Sequence, residues 1–152
     1  MTDTQQKAAA KGRAGGPADG FSAQERAAMK GRAAELRRAK KGSDGAADLR
    51  EAIEKMPEPD RSLAEGVHAI VMAAVPDLEQ KTWYGFPAYA KDGALLFFFK
   101  PASKFKTRFS TFEFTDKAKL DDGVMWPTAY AVTELTAAAT AEITAQVQKA
   151  AR

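Results

Sequence analysis

An α+β fold, an antiparallel sheet of about five strands with helices packed on it, is predicted by three features of this sequence. Up to Val75, apolar residues recur at helical spacing. From Lys81 to Thr133 the pattern changes to short runs rich in aromatic and β-branched residues, divided by turn residues. After Thr136 helical spacing returns.

The elements follow in chain order. Ser22 is a suitable N-cap, and Glu25 three residues later completes a capping box, so a first helix should run to about Lys41, where "KKGSDG" ends it. Its apolar positions Ala28, Met29, Ala33 and Leu36 form only a thin stripe, which predicts loose packing at the domain edge. A second helix, about Ala46 to Lys55, carries Leu49, Ile53 and Met56 and stops at "PEP". The third, about Asp60 to Val75, has the best apolar face, built by Leu63, Val67, Ile70, Val71 and Ala74.

Strands are then expected at about Lys81–Tyr84, Ala88–Lys91, Ala94–Lys100, Arg108–Phe114 and Tyr130–Thr133. The "KDG" at 91–93 is a hairpin turn signal, because Asp92 and Gly93 tolerate positive φ. "DKAKLDDG" reads as one helical turn, capped by Asp116 and ended at Gly123, and Thr136 caps a closing helix bearing Ala139, Ile143, Val147 and Ala150. In "ALLFFFK", Leu95, Phe97 and Phe99 alternate with Leu96 and Phe98, so both faces of that strand need cover. The second face would be covered by the chain's own loops, by a ligand or by a second subunit.

At 152 residues the chain suits one folded domain with its own core. The expected division is a disordered tail over 1–20, a basic helical extension over 21–42 and an α+β domain over 43–152. Residues 1–41 hold ten Lys and Arg against four Asp and Glu, net +6, whereas 42–152 hold thirteen against sixteen, net −3. The basic character thus belongs to the N-terminal part, where Lys30, Arg37, Arg38 and Lys41 would attract an anionic polymer or form an ordinary solvated face. The absence of cysteine excludes disulfides, thiolate catalysis and cysteine-ligated metal centres. No apolar leader or membrane-length apolar run occurs, and a cytoplasmic protein without a membrane partner is expected.

Four groups of residues carry the chemistry on offer. The first is aromatic: Trp83, Tyr84, Phe86 and Tyr89 in "WYGFPAY", echoed by Trp126 and Tyr130 in "DDGVMWPTAY", with Phe98 between them in sequence. Trp and Tyr pair a large apolar body with one polar atom, so they suit the wall of a half-wet cavity as well as a core. If the two segments converge, they would form a ligand site. The second group, Lys100, Lys104, Lys106 and Arg108 around Phe105, would grip an anion or simply solvate a strand connection. In the third, Glu113, Asp116, Asp121 and Asp122 offer the carboxylate oxygens that hard cations choose, with Asp77 or Glu79 as helpers, although "DDG" also reads as a turn. The fourth is His68 alone, which lacks a second imidazole or thiolate for a metal and a serine motif for a nucleophile. Nothing in the sequence supports an enzyme.

"MPEPDRSLAEGVHAIVMAAVPDLEQKTWYGFPAYAKDG", "KFKTRFSTFEF" and "LDDGVMWPTAYAVTEL", followed by the closing helix, resemble the YdhG-like domain family over about residues 48–152. That resemblance implies a small bacterial α+β protein with an antiparallel sheet backed by helices. It also implies a frataxin-like iron chaperone role, described for some members, in which surface carboxylates hold iron for delivery. The first helix here is basic where such an iron surface would be acidic.

The leading expectation is therefore a non-enzymatic cytosolic binding domain, monomeric or homodimeric, whose aromatic segments hold a small molecule or a protein partner. Iron handling through the carboxylates is the alternative, and nucleic acid or another anionic polymer is a weaker third.

Overall fold

The computed structural model describes residues 22–40 and 44–152. Lys41 and the residues of the expected tail, 1–20, lie outside them, as do the side chains of residues 38–40. Along the chain run α1 (Ala23–Lys40), α2 (Gly45–Glu54), α3 (Asp60–Ala74), β1 (Glu79–Trp83), β2 (Phe86–Lys91), β3 (Ala94–Lys100), α4 (Ala102–Phe105), β4 (Ser110–Phe114), β5 (Ala129–Val132) and α5 (Ala137–Ala150). The strands form one antiparallel five-stranded sheet in the order β1-β2-β3-β4-β5, so every strand pairs with its neighbour in sequence. This is the α+β class that the change of periodicity predicts.

Helix starts follow the capping chemistry. Ser22 Oγ accepts from Glu25 N at 3.1 Å, Asp44 Oδ1 from Ala46 N at 3.0 Å and Thr136 Oγ1 from Ala139 N at 3.1 Å. The hydrogen-bond ladder of α3 closes at Val75, the residue before Pro76. At the turn joining β2 to β3, Asp92 and Gly93 both take positive φ, 51° and 79°, which matches the right-handed twist of the strands on either side.

One face of the sheet carries Tyr89, Phe97, Phe99, Phe112 and Phe114. Their rings pack at 5.4 Å for Tyr89 on Phe97, 5.3 Å for Phe97 on Phe112 and 5.1 Å for Phe112 on Phe114. Leu49 and Ile53 of α2, Val67 and Val71 of α3 and Ile143 and Val147 of α5 close over them. Full burial of each such side chain is worth about 1.5–3 kcal/mol.

A β-bulge settles what becomes of the doubly apolar strand. Tyr89 pairs with Phe97 but the adjacent Ala90 pairs with Leu95, which leaves Leu96 as the extra residue on β3. Leu96 joins the helix-side core beside Phe97, and Phe98 is left on the opposite face.

Two local expectations are corrected. Residues 116–123 form turns and irregular chain instead of a helical turn: Thr115, not Asp116, caps the first turn by accepting from Lys117 N at 3.2 Å, and Gly123 sits at φ 70° in a later turn. The connection before β4 contains the short helix α4, closed by Lys106 in the left-handed region. The thin stripe of α1 packs loosely, in line with its composition: Ala28 is buried, while Met29 and Ala33 are exposed and Leu36 is 49% exposed.

Asp60 binds the layers together. Its buried carboxylate accepts from Ser103 N at 2.9 Å and from Ser110 Oγ at 3.3 Å, and Ser110 Oγ accepts in turn from Ala102 N at 3.0 Å. The first turn of α3 is thereby tied to α4 and to the start of β4, with the buried donors satisfied.

Candidate functional site

The site is built around the turn between β1 and β2. Trp83 pairs directly with Phe86, leaving Tyr84 and Gly85 as a two-residue loop with φ of 52° and 81°. Positive φ at both positions defines the hairpin turn that suits strand twist, and glycine accepts it without strain. Tyr84 does not, because a left-handed conformation costs an ordinary residue roughly 1–2 kcal/mol.

Two side chains from elsewhere hold this turn. The Lys104 ammonium of α4 donates to the Tyr84 carbonyl, and a carboxylate oxygen of Glu35 on α1 accepts from the Gly85 amide. The second Glu35 oxygen lies 3.5 Å from the Arg32 guanidinium, which itself sits 6.0 Å from the centroid of the Tyr84 ring. Burial holds the Lys104 ammonium below its ordinary pKa, and the nearby Glu35 charge partly opposes that shift. A Cβ on Gly85 would meet only the flexible end of the Lys104 side chain, so it is the positive φ that calls for glycine here.

Beside this turn the open face of the sheet carries Trp83, Phe86 and Phe98. The Trp83 ring stands 5.8 Å from Phe86 at 85° and 4.8 Å from Phe98 at 52°, and it forms a T-shaped contact with Tyr84 at 4.7 Å and 81°. From above come Ala28 and Met29 of α1, and from the side Phe105 of α4, whose ring lies 5.9 Å from Phe86. Together they enclose a cleft of about 450 Å³ with Glu25, Lys100 and Glu113 also on its wall. That volume falls within the range of sites for small molecules, roughly 300–1,000 Å³.

The expected aromatic group therefore divides. Trp83, Tyr84, Phe86 and Phe98 come together, but Tyr89 lies on the helix side, because a residue three places from Phe86 in a strand points to the other face. There the Tyr89 hydroxyl meets His68 Nδ1 at 2.9 Å, which gives the single histidine a partner in the packing. Burial raises the Tyr89 hydroxyl pKa far above the ordinary tyrosine range.

The convergence expected of "WYGFP" and "MWPTAY" is not found. Tyr130 is paired with Phe112 on the core face, packs edge-on to Phe114 at 6.3 Å and reaches Glu142 Oε1 at 3.2 Å. Trp126 lines a separate depression with Phe114, Asp116, Leu120 and Asp121. The reason is topological: in a simple meander β1 and β5 are the two edges, and three strand spacings of about 4.8 Å separate β2 from β5.

The cationic and acidic groups also disperse. Lys100 Nζ lies over the Phe105 ring at 4.7 Å, Lys104 is held on the Tyr84 carbonyl, Lys106 is exposed at the end of α4, and Arg108 stacks on Phe109 at 5.3 Å. They sit in different settings: Lys100 ends β3, Lys104 lies in α4, and Lys106 and Arg108 follow that helix. Of the acidic set, Glu113 faces the aromatic cleft, while Asp116 and Asp121 border the Trp126 depression and Asp122 is exposed. Among the described residues no three His, Asp or Glu side chains gather to hold a metal ion.

Glu35 and Gly31, which no sequence motif singles out, belong to this site together with Ala28 of the expected apolar stripe. They share a helix face at i, i+3 and i+7, and at Gly31 even an added Cβ would stand 3.9 Å from the Tyr84 backbone. The signal was present in the small residues of α1, which favour close approach to another backbone over burial of an apolar stripe.

The molecule is thus an α+β meander domain whose second sheet face is roofed by an N-terminal helix over an aromatic cleft. Neither family models, curated proteins nor solved structures give a match to the chain. Among the described residues no helix is long and apolar enough to cross a membrane.

Proposed function

We propose that the protein is a cytosolic binding domain rather than an enzyme, and that the cleft between α1 and the open sheet face takes a small, largely apolar ligand. The observation that carries this reading is the meeting of Trp83, Tyr84, Phe86 and Phe98 around a cleft of about 450 Å³. Four aromatic walls supply apolar area, and a few polar groups at the margin supply orientation, which is the usual make-up of a small-molecule site. The likeness to YdhG-like domains enters as a proposed kinship. An iron role draws no support from the way the carboxylates are placed.

Tryptophan fluorescence tests the reading directly. A ligand entering the cleft should change the emission of Trp83, and Trp83→Ala should abolish that change while Trp126 still reports a folded chain. A library of small aromatic and aliphatic compounds that leaves both emission and melting temperature unchanged would count against the cleft as a ligand site.

A further inference from the structure

Resting on the cleft as a ligand site, we propose that its ligand is a small organic cation, a quaternary or protonated ammonium carrying apolar or aromatic substituents. Aromatic ring faces are negative and attract such cations, increasingly so as water is excluded. The rings here already behave in that way toward the protein's own cations. Arg32 lies over Tyr84 at 6.0 Å, Lys104 over Phe86 at 5.5 Å and Lys100 over Phe105 at 4.7 Å.

Trp83 and Phe98 are different, since no described cation lies over either ring. Their planes meet at 52° with centroids 4.8 Å apart, so they offer two walls instead of one stacked surface. Glu113 is the direct cross-strand partner of Phe98 and shares the cleft with both rings. It has no ion pair or hydrogen bond to its side chain among the described residues, and only part of it is open to solvent. Glu25 adds a second carboxylate at the rim.

Charge complementarity therefore selects the ligand class. An anion entering the cleft would meet Glu113 and Glu25, and a neutral compound would remove water from Glu113 without replacing it. Lys100 is the one cation on the wall among the described residues, and its ammonium already lies against Phe105. A cation bound against Trp83 and Phe98 gains two aromatic rings and a carboxylate.

Three probes of similar size test this on the full chain: phenyltrimethylammonium, its uncharged isostere tert-butylbenzene, and 4-ethylbenzoate, each titrated by calorimetry and by tryptophan emission. The ammonium should bind about tenfold more tightly than the isostere, and the benzoate most weakly. Glu113→Gln should weaken the ammonium by about three- to tenfold and leave tert-butylbenzene unchanged. If tert-butylbenzene equals the ammonium, or the benzoate exceeds it, the cationic class is overturned while the cleft stands as a ligand site. If none of the three binds up to millimolar concentration, or to its solubility limit for tert-butylbenzene, the cleft reading falls and this inference falls with it. Should Glu113→Gln lose its native circular dichroism, the ratio of ammonium to isostere affinity in the unaltered chain still decides.

Discussion

The two faces of the sheet are furnished with the same kind of residue and finished differently. On the helix side Tyr89, Phe97, Phe99 and Phe112 are fully buried beneath α2, α3 and α5. On the other side Trp83, Tyr84 and Phe98 are only partly covered, and the roof is α1 with the single turn of α4. An aromatic residue in a strand is thus core or cleft wall according to what lies above it, and the composition of the strand does not decide which. The closed face supplies the burial that holds the domain together, and the open face leaves aromatic surface exposed in a cleft.

The largest effect should come from truncating each face in turn. Phe112→Ala removes a fully buried ring contacting Phe97 and Phe114, and should cost about 3–5 kcal/mol in urea unfolding. Phe98→Ala, on the open face, should cost about 1–2 kcal/mol, because its ring keeps some solvent contact and leaves no sealed cavity. Equal losses for the two variants would mean that the second face is as much a core as the first.

A smaller effect should follow from loosening the roof. Glu35→Ala removes the acceptor for the Gly85 amide and should cost about 1 kcal/mol. The diagnostic is its distribution: amide exchange should quicken in α1 and at Gly85 while protection in β3 and β4 stays unchanged. Faster exchange throughout the sheet would show α1 to be part of the cooperative core, and the contrast between the faces would disappear.

The closed face was the more legible from sequence. Helical spacing in residues 60–75, the cap residue Thr136 and the "KDG" turn are local signals, and each acts within a few residues of where it is written. The membership of Phe98 and Phe86 in one cluster needed the strand order, and the burial of Leu96 needed a bulge, which adds one residue to β3 without a mark in the sequence. The roof was the least legible. Its contacts use Glu35, Arg32 and Ala28, whose chemistry is that of any solvated helix until the tertiary position of the Tyr84–Gly85 turn is known. The false pairing of "WYGFP" with "MWPTAY" arose from the same cause, since similar wording says nothing about which edge of a sheet a segment joins.

The smallest expected effect lies in pH and belongs to the closed face alone. Burial of His68, with Arg50 nearby as a second cause, holds its imidazole below the ordinary value of 6.5. The folded state therefore resists a proton that the unfolded chain accepts. The stability that this group contributes is fully present above pH 6.5, and it is lost as the pH falls from there toward the lower value of the folded state. Urea midpoints measured from pH 7.5 downward should fall across this window, and His68→Gln should flatten that part of the profile. An unchanged slope in His68→Gln would assign the acid sensitivity to carboxylates, and the aromatic cleft, which holds no histidine, would then be no less sensitive to acid than the core.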